Sequence, residues 1–203
     1  MPPTPYRLDT VAASLVERME GARRTWVGQP DAAREGMTRI AAETLDLVIA
    51  EHDHIMSGSK WGAMLRRELM EMFLPRYIRL AVAHNALEAG GYGAWRKGDP
   101  LARVMATGGT LMAAVILERL LHHPATLLLF IFALFVPALP ELRAWYHRSQ
   151  YANALQDVVD DMGRIQEELD RFTDDEILTD DRLQAARDKV EAARTRRKEQ
   201  TLG

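Results

Sequence analysis

Glu51, His52, Asp53 and His54 crowd four metal-binding side chains into one short stretch. Glu51 and His54 have the Glu-x-x-His spacing that aims two ligands from one helix at a single metal. Carboxylate di-iron bundles need two such motifs and two further glutamates, and the chain has no second Glu-x-x-His. His84 with Glu88, and Glu118 with His122, are each four apart and offer only a mixed alternative. Solvent-facing or capping histidines are the simpler account, and no metal or cofactor is expected. His122 and His123 form a polar turn that can titrate near neutral pH. The acidic run Asp174, Asp175, Glu176, Asp180 and Asp181 lacks the glycine and alternating ligands of an EF-hand loop. It reads as a solvated loop.

Other chemistry is sparse. There is no cysteine, which removes thiol nucleophiles, disulfides and Cys-ligated zinc or iron–sulfur clusters. No phosphate-binding loop, Gly-x-Ser-x-Gly or His-Glu-x-x-His occurs, and Gly90-Gly91-Tyr92-Gly93 follows a helical stretch, not the strand a dinucleotide fingerprint requires. The chain is therefore read as a non-enzyme.

Helices must position whatever function remains, and an all-α fold in four parts is expected. At 203 residues with 47% hydrophobic and 27% charged content, the chain is too apolar for disorder. Residues 1–59 read as a helical hairpin. Leu8, Val11, Ala12, Leu15, Val16 and Met19 have helical spacing behind the possible caps Asp9 and Thr10, and Gly28-Gln29-Pro30 separates them from a second helix to Met56. Residues 60–100 read as an amphipathic basic helix, kinked or broken at Pro75, and a glycine-rich corner. Its Trp61, Tyr77 and Trp95 among lysines and arginines would suit a lipid headgroup layer. The plainer reading packs this helix on its neighbours.

Residues 101–145 carry the strongest signal. Val104–Leu117 contains fourteen residues without a charge, and Pro124–Pro140 is a second uncharged run. Extended to Leu101–Leu121 and Pro124–Trp145, the two make a transmembrane helical hairpin turning at His122-His123. Gly108 and Gly109 would permit close helix packing there, while Leu127, Phe130, Phe132 and Phe135 belong to a limb without a polar face. Two buried helices of a soluble bundle are the competing explanation.

Charge orders the flanks. Net charge is −3 over residues 1–59, +4 over 60–103, +1 over 104–150, −9 over 151–181 and +4 over 182–203. The basic flanks place both termini in the cytoplasm of a bacterial inner membrane, with the turn outside. No single basic face dominates, so nucleic acid is disfavoured as a partner. The opening MPPTPYRLDT has no apolar core of a secretory signal.

Residues 146–203 read as a helical arm with a basic tail. Tyr151, Leu155, Val158, Met162, Ile165, Leu169 and Phe172 are spaced alternately by four and three, a coiled-coil seam of about three heptads. The seam either joins copies of the chain or is covered by the helix that restarts near Thr179. The overall layout resembles that of small bacterial two-span membrane effectors, a likeness of arrangement without a shared signature residue.

The expected function is a membrane-anchored helical protein that self-associates or recruits an unidentified protein partner through its cytosolic helices. Its expected partners are the lipid bilayer and further copies of itself. An oligomeric channel or membrane-perturbing effector using the 104–139 hairpin, and a soluble helical-bundle interaction protein, are the alternatives.

Overall fold

The computed structural model describes residues 6–55, 61–93, 100–121, 139–170 and 180–202. Every regular element among them is helical: α1 (Leu8–Arg23), α2 (Pro30–Ile55), α3 (Trp61–Glu68), α4 (Leu74–Ala89), α5 (Pro100–Leu121), α6 (Leu139–Leu169) and α7 (Asp180–Leu202). The all-α expectation is met. The chain divides into two compact units, one of residues 1–85 with 152–203, the other of residues 86–151.

In the first unit the apolar periodicity becomes one core. Leu8, Val11, Leu15 and Met19 of α1 join Met37, Ala41 and Leu45 of α2, Leu65 of α3, and Tyr77 and Ala81 of α4. Val158, Met162, Ile165 and Leu169 of α6 are in the same core, and Val190 of α7 closes it. Gly62 lets α3 come close to α2: a Cβ there would lie 2.9 Å from Ile49 Cγ2.

The start of α1 differs from the sequence expectation. Its N-cap position is Arg7, which makes no side-chain cap. The orphan N–H of Leu8 instead donates to Gln166 Oε1 of α6 at 2.9 Å, a buried bond. Gln166 Nε2 donates in turn to Asp170 Oδ1 at 2.7 Å, and Asp170 Oδ2 accepts from Arg7 Nη1 at 2.9 Å. A helix terminus is thus capped from across the fold.

Pro75 neither breaks nor ends its helix. Between α3 and α4 lies a π-helical turn, Leu69–Phe73, in which the Leu74 N–H bonds to the Leu69 carbonyl five residues back. A proline brings no N–H and its ring crowds the preceding turn. The wider π-turn absorbs that crowding, so the backbone stays helical from Trp61 to Ala89.

The transmembrane hairpin is not carried by the described residues, none of whose helices is long and apolar enough to cross a membrane. The fourteen uncharged residues of α5 rise only about 21 Å, against about 30 Å of bilayer hydrocarbon. Most of the second limb, with Leu127, Phe130, Phe132 and Phe135, lies outside the described residues, as does Phe172 of the seam. The described end of that limb, Leu139–Trp145, continues without interruption into the arm as α6.

Candidate functional site

The second unit contains a helix turned inside out. On α5 the covered side is the narrow stripe of Thr107, Thr110, Leu111 and Ala114, at positions i, i+3, i+4 and i+7. Among the described α5 side chains Ala114 alone is fully buried. Apart from Leu111, the large apolar side chains described on α5 point away: Val104, Met105 and Met112 are 68%, 67% and 68% exposed, and Val115 and Ile116 are also exposed. A water-facing helix does the reverse, hiding its large apolar groups and showing its small and polar ones. Burying one such side chain contributes about 1.5–3 kcal/mol, so a face of five is a large unspent driving force.

Gly108 and Gly109 lie on the exposed side, with nothing described within 4 Å of where a Cβ would stand. The close helix packing expected of them is not seen among the described residues.

The start of α6 continues the apolar surface. Leu139, Leu142, Trp145 and Tyr146 are exposed beside the exposed arginines Arg143 and Arg148. Aromatic residues mixed with arginines suit the boundary between hydrocarbon and headgroups. Behind them the glycine-rich corner is fixed in place. Tyr92 adopts a left-handed backbone with φ 58° next to Gly91 at φ 61°, a conformation that disfavours any side chain. Its buried ring stacks on His147 with centroids 6.0 Å apart, and the Arg148 guanidinium lies 5.6 Å from the ring centre. Arg148 Nε also donates to the Tyr92 hydroxyl at 3.4 Å.

The seam residues lie elsewhere. Tyr151 and Leu155 are partly buried, and Val158, Met162, Ile165 and Leu169 are covered within the chain by the first unit's core. Helix α7 contributes little apolar area to that cover, since only Ala186 and Val190 of its described side chains are buried. Ion pairs hold it instead. Arg187 grips the fully buried Glu68 with Nε to Oε2 at 3.0 Å and Nη2 to Oε1 at 2.6 Å, and reaches Glu71 at 3.4 Å. These hydrogen bonds push the Arg187 guanidinium above its already high ordinary pKa. Lys189 pairs with Glu168 at 3.0 Å, Arg194 with Asp161 at 3.5 Å, and Arg76 with Glu191 at 3.0 Å. Three basic residues of the tail, Arg187, Lys189 and Arg194, are thus paired within their own chain with the acidic arm and with Glu68 and Glu71.

The metal-type cluster is not assembled beyond one pair. Buried His52 meets Tyr6 edge-on, centroids 5.1 Å apart, and its Nδ1 lies 3.3 Å from Asp53 Oδ1, while Glu51, Asp53 and His54 are exposed. His84 is buried on α4, and His122 and His123 lie outside the described residues. No group of three or more metal-ligating side chains is assembled among the described residues. Sequence reasoning missed Glu68, Asp161 and Gln166, which are buried polar anchors of the first unit. A charged residue on a helix reads as solvent-facing unless its partner is known.

No family model, curated protein or solved structure matches the chain.

Proposed function

We propose that this chain is a non-enzymatic, membrane-anchored helical protein. Residues 101–145 sit in the bilayer, and the helical bundle built from residues 6–85 and 152–202 remains in the cytoplasm to recruit a protein partner. The observation that carries the reading is the outward apolar face of α5, where Val104, Met105, Met112, Val115 and Ile116 are exposed opposite a stripe of Thr107, Thr110, Leu111 and Ala114. Lipid is the solvent that suits such a helix. Its shortness is offset by the charges that flank the run in the sequence, Arg103 before it and Glu118 and Arg119 after it, at positions where a long charged side chain can snorkel. The uncharged run Pro124–Pro140 supplies the second limb. An even number of limbs keeps both termini on one side, and the basic residues on either side of the hairpin favour the cytoplasm.

Self-association runs through the apolar segment in this reading, because the seam on α6 is already covered by its own chain. Membrane fractionation followed by alkaline carbonate extraction tests the anchor. Retention in the pellet is expected. Release into the supernatant in the pattern of a peripheral protein contradicts the proposal.

A further inference from the structure

A second feature, in the first unit and independent of the membrane reading, has the makings of an anion site. Helix α4 carries Arg76 and Arg79 three residues apart, and both line a cleft of about 460 Å³ with Arg194 and Glu191 of α7. Leu80 and Val158 add apolar wall, and Thr195 completes the lining. Behind the lining is Asp161 of α6, whose side chain is only 4% exposed. It accepts from Arg76 Nη1 at 3.3 Å and Arg164 Nη1 at 3.3 Å, and Arg194 Nη1 lies 3.5 Å away. Three guanidinium groups therefore converge on one carboxylate.

The charges do not balance. Arg76, Arg79, Arg164 and Arg194 face Asp161 and Glu191, with Asp157 one turn before Asp161 also acting on it. Arg79 is exposed and has no ion pair among the described residues. On the cleft wall Arg76, Arg79 and Arg194 stand beside Glu191, and Asp161 pairs with Arg76 and Arg194 from behind, so the charge left uncompensated is that of Arg79. Asp161 holds Arg76 and Arg194 through one Nη of each, and Glu191 takes the other Nη of Arg76, so these two side chains are fixed before a ligand arrives and keep N–H donors beyond those bonds. Guanidinium forks match the oxygens of a phosphate group bidentately, and prior fixation spares the entropy of ordering them.

We propose that this cleft binds a phosphate monoester, with Arg79, Arg76 and Arg194 on the dianionic phosphate and Leu80 and Val158 against its organic substituent. The same chemistry is offered by a soluble phosphomonoester and by a phosphatidic-acid headgroup. Titration calorimetry on the full chain in detergent separates the two sources, using phenyl phosphate in one arm and dihexanoyl phosphatidic acid in the other. Saturable binding is expected in at least one arm, weakened roughly 10- to 100-fold by Arg79→Gln, as for loss of a hydrogen bond to a charged group. Arg79→Gln removes no ion pair described in the fold, so its folding, checked by circular dichroism, should match wild type. Arg39→Gln, at an exposed position on α2 outside the cleft lining, should bind as wild type. Phenyl sulfate, a monoanion of similar shape, should bind more weakly than phenyl phosphate. No saturable binding in either arm overturns the proposal. So does unchanged affinity in Arg79→Gln, an equal loss in Arg39→Gln, or equal binding of phenyl sulfate.

Discussion

Replacing Arg187 by methionine should undock α7, and the structure bounds how strongly. Glu68 is fully buried and its two oxygens accept from Arg187 Nε and Nη2 at 3.0 and 2.6 Å, while the Arg187 side chain is 17% exposed. Removing one partner of a buried pair strands the other and costs about 3–5 kcal/mol. The partial exposure of Arg187 argues for the lower end. Burial of Val190, the largest buried apolar side chain among the described residues of α7, contributes no more than about 1.5–3 kcal/mol, so this one ion pair rivals it. Lys189 with Glu168 adds little, because the lysine is 63% exposed and surface pairs contribute about 0–1 kcal/mol. Hydrogen exchange of the α7 amides in the full chain reads the outcome. Arg187→Met should speed exchange on the order of 100-fold. The double change Glu68→Leu with Arg187→Met should recover much of the protection, since it removes the stranded carboxylate as well. Exchange within a few-fold of wild type in the single variant would refute the argument, because the pair would then be worth no more than an exposed one.

Three further outcomes follow from the same geometry. Burial pushes the Asp161 carboxyl above the ordinary aspartate range, against the pull of Arg194, Arg76 and Arg164. The folded protein then holds this proton more tightly than the unfolded chain, so the group's contribution to stability is present at low pH and lost as pH rises through its folded pKa. A carboxyl-carbon titration by NMR placing Asp161 below an ordinary aspartate would contradict this. Deleting residues 180–203 should leave self-association by light scattering little changed, because α1 to α4 still cover Met162, Ile165 and Leu169. A clearly raised mass after the deletion would mean that α7 is the main shield of the seam. Gly36→Ala would drive a Cβ into the Trp26 indole and should cost about 1–3 kcal/mol of overpacking, less about 1 kcal/mol of helix propensity regained. A lowered thermal midpoint with a changed tryptophan emission is expected, and a raised midpoint would speak against that packing.

The helices were legible because their apolar residues recur at three and four. Leu8 to Met19 and Val158 to Leu169 needed nothing more. The glycine and proline at 28 and 30 marked the first corner for local reasons, being residues that suit a turn and a helix start. What covers a stripe was not legible. The spacing from Tyr151 to Phe172 suits a partner chain and an intramolecular core equally, and only the fold places Val158 and Met162 against α1 to α4. Pro75 was visible as an obstacle, but its solution, a π-turn at Leu69–Phe73, depends on hydrogen-bond register, which side-chain pattern does not encode. Buried Glu68 and Asp161 were hidden for a related reason: Arg187 and Arg194, which bring α7 over them, lie more than thirty residues away, and the local pair of Asp161 with Arg164 reads as an ordinary surface pair. For α5 the apolar run was plain, whereas the outward direction of its large side chains required the neighbouring covered stripe to be known.

The outward face of α5 is the centre of the account, and one paired substitution tests it directly. Met112 on α5 and Leu47 on α2 are almost equally exposed, at 68% and 64%. In water, arginine at either exposed position should change stability by no more than about 0.5 kcal/mol. In a bilayer, arginine near the middle of a helix costs roughly 2.5–3.5 kcal/mol, on the order of 100-fold in partitioning. Membrane fractionation of the two variants should therefore separate them, with Met112→Arg leaving the membrane for the soluble or aggregated fraction and Leu47→Arg remaining with wild type. Equal retention of both variants in the membrane, or equal release of both, would contradict the claim that α5 faces lipid.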